Sequence, residues 1–340
     1  MKPFTTGCMR YDGENFTILD QTLLPHQETW LPCHTVNDLV VIIQRLAIRG
    51  APAIGISASV LLGLLAKQGA TQTALIEAAD ELRKARPTAV NLMNNIDQMK
   101  RAIIDGPLPD AVIAEAEKLL QEDIELCEQM STNGAALCQP GDKLLTHCNT
   151  GSLATAGLGT ALGVISKAHQ VHSNIFVWVD ETRPLLQGGR LTAWECNNRH
   201  IPHKIICDNM AAMLMAKGDV SRIFVGSDRI AANGDFANKI GTYSLAVLAH
   251  YHKVPFYVVA PQTTVDPECA SGDAIPIELR GEHEVKGVSG SFGECQWAPA
   301  QSEVFNPAFD VTPAKLVTGW VLDTGVFNQD DVKQPNWWLG

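Results

Sequence analysis

Positive charge is scarce in this chain of 340 residues, which sets 26 Lys and Arg against 37 Asp and Glu for a net charge of −11. That balance has the wrong sign for gripping nucleic acid through its backbone phosphates, although it leaves room for a local basic pocket around one phosphate. Paired cysteines are also missing: the nine present are odd in number, scattered, and form no CxxC pair or compact framework. No disulfide scaffold is expected, and a reducing compartment is the simpler reading. Long apolar runs are absent as well. The longest, "APAIGISASVLLGLLA", is broken by proline, glycines and serines, and the opening "MKPFTTGCMRYDGENF" holds no apolar signal core. The expectation is a cytoplasmic, soluble protein with no membrane contact. Solenoid repeats, low-complexity tracts and long charge runs are not found either.

What is present fits two domains, because single cores stop growing below about 250 to 300 residues. The first 35 residues alternate in short pieces, "NFTILDQTLLP" and "ETWLPC", bounded by turn formers, which predicts small strands. Helical periodicity then takes over from Val36 to about Ala136. "TVNDLVVIIQRLAIRG" opens on an N-cap threonine, places Leu39, Ile42, Ile43 and Leu46 on one face, and stops at Gly50. Helices are also expected over 71–85, 91–104 and 109–138, with "DGPLPD" as a break. After Pro140, β-rich runs alternate with helix-length segments at intervals of roughly 25 to 35 residues: "KLLTHC", "NIFVWVDE", "HKIICDN", "RIFVGSD" and "PFYVVAP". The reading is an α/β chain. A smaller, mainly helical N-terminal domain bearing short strands covers 1–125, and a Rossmann-like, mostly parallel, doubly wound sheet covers 126–340.

Ligands of such sheets bind outside the carboxyl ends of the strands. The residues there are Cys148, Glu181 with Arg183, Asp208 with Asn209, and Asp228 with Arg229. A helix expected to begin near Ser152 would favour the thiolate of Cys148. A lone cysteine is more often simply buried, and the glycines of "GLGTALG" match neither a P-loop nor a dinucleotide fingerprint. Asn233, Asp235, Asn238 and Lys239 read as one polar loop beside Asp228, able to aim donors and a cation at an anion. Small residues in "RGAPAIG" would let Gly50 and Ala51 approach a phosphate beside Arg49. Arg49, Arg86 and Lys239 would together suit a phosphate if the fold gathers them. Gln187, before two glycines, suits sugar hydroxyls, whereas Arg183 and Glu195 read better as tethers of their own loop. His200, His203 and Cys207 match no common zinc spacing, so no metal is expected.

Taken together, "TILDQTLLP", "RGAPAIG", "RPTAVNL", "LLTHCNTGSLATAGLGTALG", "VDETRPLLQGGRLTAWE", "GSDRIAANGDFANKIGTYSLAVLAH", "PFYVVAP" and "NPAFDVTPAKL" resemble the methylthioribose-1-phosphate isomerases of methionine salvage, in that family's order and over nearly the whole chain. The resemblance implies conversion of an aldose phosphate to its ketose without a cofactor, by a homodimer acting on a small sugar phosphate. It implies a catalytic pair in Cys148 and Asp228, and substrate contacts at Arg49, Gly50, Ala51, Arg86, Gln187, Asn238 and Lys239. The chain departs from the family pattern at Leu279 in "IELR", where a second acid is usual, and at Ser227 and Phe236. Two rivals share the motifs' fold. One is an isomerase of 5-deoxyribose 1-phosphate or ribose 1,5-bisphosphate. The other is a non-catalytic regulatory subunit of the initiation-factor exchange complex, a class that generally lacks the cysteine and aspartate pair.

Overall fold

The computed structural model describes residues 1–86 and 90–340, so Pro87, Thr88 and Ala89 of "RPTAVNL" lie outside the described residues. The chain divides into two compact units, one of residues 1–126 with 152–159, the other of residues 127–151 with 160–340.

In the first unit, β1 (Phe4–Thr5), β2 (Met9–Tyr11), β3 (Phe16–Leu19) and β4 (Trp30–Pro32) form an antiparallel meander in sequence order. Helices α1 (Val36–Gln44), α2 (Ala51–Lys67), α3 (Gln72–Ala85), α4 (Val90–Asp105) and α5 (Asp110–Ala135) follow, the last with its residues from Cys127 on in the second unit. Thr35 and Asp38 close a reciprocal capping box at the start of α1, a device of about 1 kcal/mol. The helix is shorter than its periodicity suggests. Leu46 turns into the left-handed region at φ 60°, and just beyond it the Ala47 carbonyl accepts from the Gln21 N–H at 2.9 Å, while the Arg45 side chain pairs with Asp20. The long apolar run is α2, buried on nearly every face, with Ser57 and Ser59 bonded back to Ile54 and Gly55 carbonyls. It shows little amphipathicity because it is the middle of the core rather than its wall. No described helix is long and apolar enough to cross a membrane.

The segment Ser152–Gly159 returns to this first unit as a series of turns. Gln21 Nε2 donates to the Leu153 carbonyl at 2.7 Å, Ala53 N to Ala154 O at 3.1 Å, and Ala156 N to Asp123 Oδ2 at 2.6 Å. Burial pushes the Asp123 carboxyl up to about 6 despite these backbone donors. With its backbone groups bonded elsewhere the segment forms no helix, so the helix expected near Ser152 begins instead at Ala161. The thiolate argument that used it therefore fails. Gly50 is fixed by the same packing: at φ 84° a Cβ would stand 2.3 Å from the Ala154 carbonyl oxygen. Gly50→Ala combines left-handed strain with overpacking and should cost about 2–5 kcal/mol. Urea unfolding checks this, and a loss under about 1 kcal/mol would contradict the packing argument.

The second unit is built on a seven-stranded sheet in the order β17-β16-β11-β8-β5-β6-β7. Its strands are β5 (Lys143–His147), β6 (Phe176–Asp180), β7 (His203–Ile206), β8 (Arg222–Val225), β11 (Phe256–Val259), β16 (Gly319–Leu322) and β17 (Gly325–Phe327). All pair in parallel except β17, antiparallel to β16. Helices α6 (Ala161–Val171), α7 (Ala193–Asn198), α8 (Ala211–Ala216) and α9 (Thr242–His252) fall between strands. Because both faces are covered, β11 and β16 are buried at every residue and read as continuous apolar runs. A second sheet, β12-β9-β10-β15, joins β9 (Arg229–Ala231), β10 (Phe236–Lys239), β12 (Val265–Asp266) and β15 (Phe309–Thr312). Beyond it the short α10 (His283–Lys286) leads into the hairpin of β13 (Gly287–Gly290) and β14 (Gly293–Gln296). Phe236 packs against Phe256 in the core. Leu279 is 66% exposed, so its departure from the family pattern leaves the Arg280 ion pairs with Glu278 and Glu284 intact.

Candidate active site

From β5 the chain steps outward through β6 and β7, then returns to the other side of β5 to lay down β8, β11 and β16. The strand order therefore reverses between β5 and β8, and an open parallel sheet opens its ligand crevice at such a switch point. His147 of β5 is in register with Val225 of β8. Cys148 is the next residue after β5, and Asp228 lies three residues beyond β8, so both sit at the carboxyl ends of the two strands that flank the reversal.

Cys148 is the only half-buried cysteine of the nine, and none of them is in a disulfide. Its backbone takes a left-handed φ of 69°. The N–H donates to Thr182 Oγ1 at 2.8 Å and the carbonyl accepts from Thr192 Oγ1 at 2.6 Å. Thr182 and Leu186 are left-handed too. Such conformations cost of order 1–3 kcal/mol each and cluster where function requires them. Burial pushes the thiols of Cys33, Cys138 and Cys196 up to about 12 and holds them protonated.

The residue before Cys148 belongs to a buried network that no sequence motif marks. His147 Nδ1 stands 3.1 Å from Asp180 Oδ2, and Nε2 stands 2.9 Å from the Ile240 carbonyl oxygen. Burial alone would lower the His147 pKa, but the hydrogen bond and charge of Asp180 hold it above its ordinary value; burial likewise raises Asp180. Asp208 accepts from the Thr182 and Arg183 N–H groups at 2.8 and 2.7 Å, a structural task rather than one in the crevice. His147, Asp180 and Asp208 place ligand-type atoms within 4.8 Å of one another. Asp180 Oδ2 and both Asp208 oxygens already have partners there, whereas Asp180 Oδ1 is buried with none among the described residues. Expected tethers fall partly elsewhere: Arg183 donates to Pro184 and Val285 carbonyls, while Glu195, 1% exposed, accepts from Asn149 Nδ2 at 2.8 Å and pairs with Arg199. His203, one of the residues weighed as a metal ligand, bonds the Ile201 carbonyl.

Gln187 is 1% exposed, and neither its amide oxygen nor its nitrogen has a hydrogen-bond partner among the described residues. Such a group costs about 1–3 kcal/mol until something pairs with it. Asp228 is half-buried and its N–H donates to the Ala237 carbonyl at 2.9 Å. Asn238 Nδ2 donates to Thr242 Oγ1 at 3.0 Å; Lys239 is 5% exposed, donates to the Ala308 carbonyl at 2.7 Å, and stacks over Phe309. Asp310 caps α9 through the Gly241 and Tyr243 N–H groups, and burial raises its pKa. Asn233 and Asp235 do not join this group. They form the turn before β10, with Asp235 bonded to Gly272 and Ala314, and the four residues of the strand carry Lys239 roughly 10 Å from them. Arg49, Gly50, Ala51 and Arg86 belong to the first unit, Gly50 as the cap of α2, Ala51 as its first residue, and Arg86 as the cap of α3.

Fold and strand-end residues together describe a two-unit α/β protein with a thiol and a carboxylate at the switch point of a parallel sheet. Residues 47–329 match the initiation factor 2 subunit family. A methylthioribose-1-phosphate isomerase of Cronobacter sakazakii is 59% identical over 332 residues, 98% of each chain. The crystal structure of 5-methylthioribose 1-phosphate isomerase from Pyrococcus horikoshii OT3 superposes with a TM-score of 0.89 at 40% identity, covering 97% of this chain and 96% of the other. That of translation initiation factor eIF-2B, subunit delta, from A. fulgidus gives 0.83 at 38% identity, covering 95% and 96%. The chain belongs to the initiation factor 2 subunit family and, within it, to the methylthioribose-1-phosphate isomerases.

Proposed function

We propose that the chain converts 5-methylthioribose 1-phosphate into 5-methylthioribulose 1-phosphate, with Cys148 and Asp228 as its catalytic pair. The observation that carries this reading is the placement of both residues at the β5/β8 switch point in a chain 59% identical to a named isomerase. Phosphate on the anomeric oxygen prevents the sugar ring from opening as a free hemiacetal does. The enzyme must therefore protonate the ring oxygen as its bond to C1 breaks, a task for the Asp228 carboxyl. The hydrogen on C2 moves to C1 at Cys148, the C2 hydroxyl loses its proton to the Asp228 carboxylate as the C2 carbonyl forms, and the acid is restored. Atoms balance without a cofactor.

Gln187 reads sugar hydroxyls with its unsatisfied amide. Asn238 and Lys239 bind the substrate from the end of β10, and Arg49, Gly50, Ala51 and Arg86 are its further contacts. The enzyme works as a homodimer in the cytoplasm, in methionine salvage. The test is an isomerase assay with 5-methylthioribose 1-phosphate, 5-deoxyribose 1-phosphate and ribose 1,5-bisphosphate on one preparation, following the ketose phosphate by phosphorus NMR. The expected result is kcat/KM highest for the methylthio sugar. A clear preference for the bisphosphate would replace the substrate, and no turnover of any of the three would favour a regulatory subunit, the reading suggested by the A. fulgidus neighbour.

A further inference from the structure

His147 closes β5 and is 1% exposed, yet both its ring nitrogens make directed bonds. A carbonyl oxygen only accepts, so the 2.9 Å contact with Ile240 places a proton on Nε2. Nδ1 then faces Asp180 Oδ2 at 3.1 Å, across one proton carried by either the ring or the carboxyl. Asp180 is the last residue of β6, Ile240 follows β10, and Cys148 follows His147 itself. One imidazole thereby joins the carboxyl ends of three strands: the one carrying the thiol, the one leading into Thr182 and Gln187, and the one carrying Asn238 and Lys239.

Two further contacts tighten this arrangement. Thr182 Oγ1 accepts from the Cys148 N–H at 2.8 Å and donates to the Asp180 carbonyl at 3.0 Å, so Asp180 is tied to the imidazole by its side chain and to the Cys148 main chain through Thr182. On the other side Gly241, at φ 104°, lets the turn close onto the ring; a Cβ there would stand 3.0 Å from Cε1 and Nε2. The charged groups around the ring are Asp180, Asp208 with Oδ1 at 4.0 Å, and Asp310, whose carboxyl in turn senses Lys239. A buried pair of this kind contributes little net stability, so its return is geometric.

We propose that His147 is a positioning residue for the isomerisation: bonded to Asp180 through one ring nitrogen and to Ile240 through the other, it holds the Cys148 thiol in register with Asn238 and Lys239. The proposal rests on the isomerase reading above.

Two variants of the full chain separate the two bonds. His147→Gln keeps a donor for Ile240 and loses the bond to Asp180; His147→Asn keeps the bond to Asp180 and loses that to Ile240. Rates are corrected for the folded fraction from thermal melts. Since a misplacement of 1 Å can cost a hundredfold, kcat should fall about 10- to 100-fold in both. KM should stay within about threefold in the Gln variant and rise at least about fivefold in the Asn variant, where the substrate-binding segment is released. A substrate-free readout accompanies these: iodoacetamide labelling of Cys148 relative to exposed Cys207 and Cys295, measured on peptides, should change by at least about threefold. Asp180→Ala, which removes the bond to Nδ1 and leaves the ring in place, gives the same kcat loss and stands in if the histidine variants do not fold. A kcat within about twofold of the parent with an unchanged labelling ratio, or a loss matching only the unfolded fraction, overturns the proposal. If the parent turns over none of the sugar phosphates but the labelling ratio still shifts, the isomerase reading falls and the positioning of Cys148 stands.

Discussion

Cys148→Ser is expected to lower kcat by about 10²- to 10⁴-fold, because the group lost acts on the hydrogen that moves between C2 and C1. The fold should survive. Both hydrogen bonds that pin the residue, to Thr182 and from Thr192, use its main chain and do not depend on the side chain. Its left-handed φ is as available to serine as to cysteine. Substrate binding by isothermal titration should therefore stay within about threefold, since the contacts assigned to Gln187, Asn238 and Lys239 are untouched. A serine variant retaining a tenth or more of the parent turnover would remove the thiol from the chemistry.

Asp228→Asn should produce a loss of similar size for a different reason: an amide cannot protonate the ring oxygen as the bond to C1 breaks, and general acid catalysis contributes about 10²- to 10⁴-fold. The residue is also held by its main chain, the N–H donating to the Ala237 carbonyl, so the loop between β8 and β9 should keep its course. The loss belongs in kcat, with KM little changed. Near-normal turnover by the folded variant would disprove the assignment. Because the two residues act on one substrate in one step, the double variant should be hardly worse than either single one, as for groups that work as a unit.

The strands around which the site is built were plain in the chain. "KLLTHC", "NIFVWVDE", "HKIICDN", "RIFVGSD" and "PFYVVAP" all became parallel neighbours in one sheet. A doubly buried parallel strand is a short continuous apolar run between turn formers, a purely local pattern. Periodicity misled where partners distant in sequence captured the backbone. Leu46 sits on the apolar face of α1 by spacing, yet it turns left-handed there and the Ala47 carbonyl accepts from the Gln21 N–H instead of continuing the helix. The stretch after Cys148 has the residues of a helix start, but Gln21, Ala53 and Asp123 take its backbone groups. His147 and Asp180 escaped notice because each closes an apolar run, where a histidine or aspartate reads as the strand's end. Asn233 and Asp235 read as one loop with Asn238 and Lys239 because adjacency in sequence hides the length of a strand.

The sequence alone decided the alternation of strands and helices after Pro140, the motifs shared with the isomerases, and the position of Cys148 and Asp228 just past two apolar runs. Each of these is local: it depends on residue type and on spacings of a few residues. Only the tertiary structure decided that β5 and β8 are the neighbours across which strand order reverses. It alone showed that one buried imidazole spans three strand ends, and that the glycine-rich stretch after Cys148 folds into the first unit. Those outcomes depend on which hydrogen-bonding groups meet across 33, 93 and 132 positions of chain. A bond of that span leaves no periodic trace in the residues that make it.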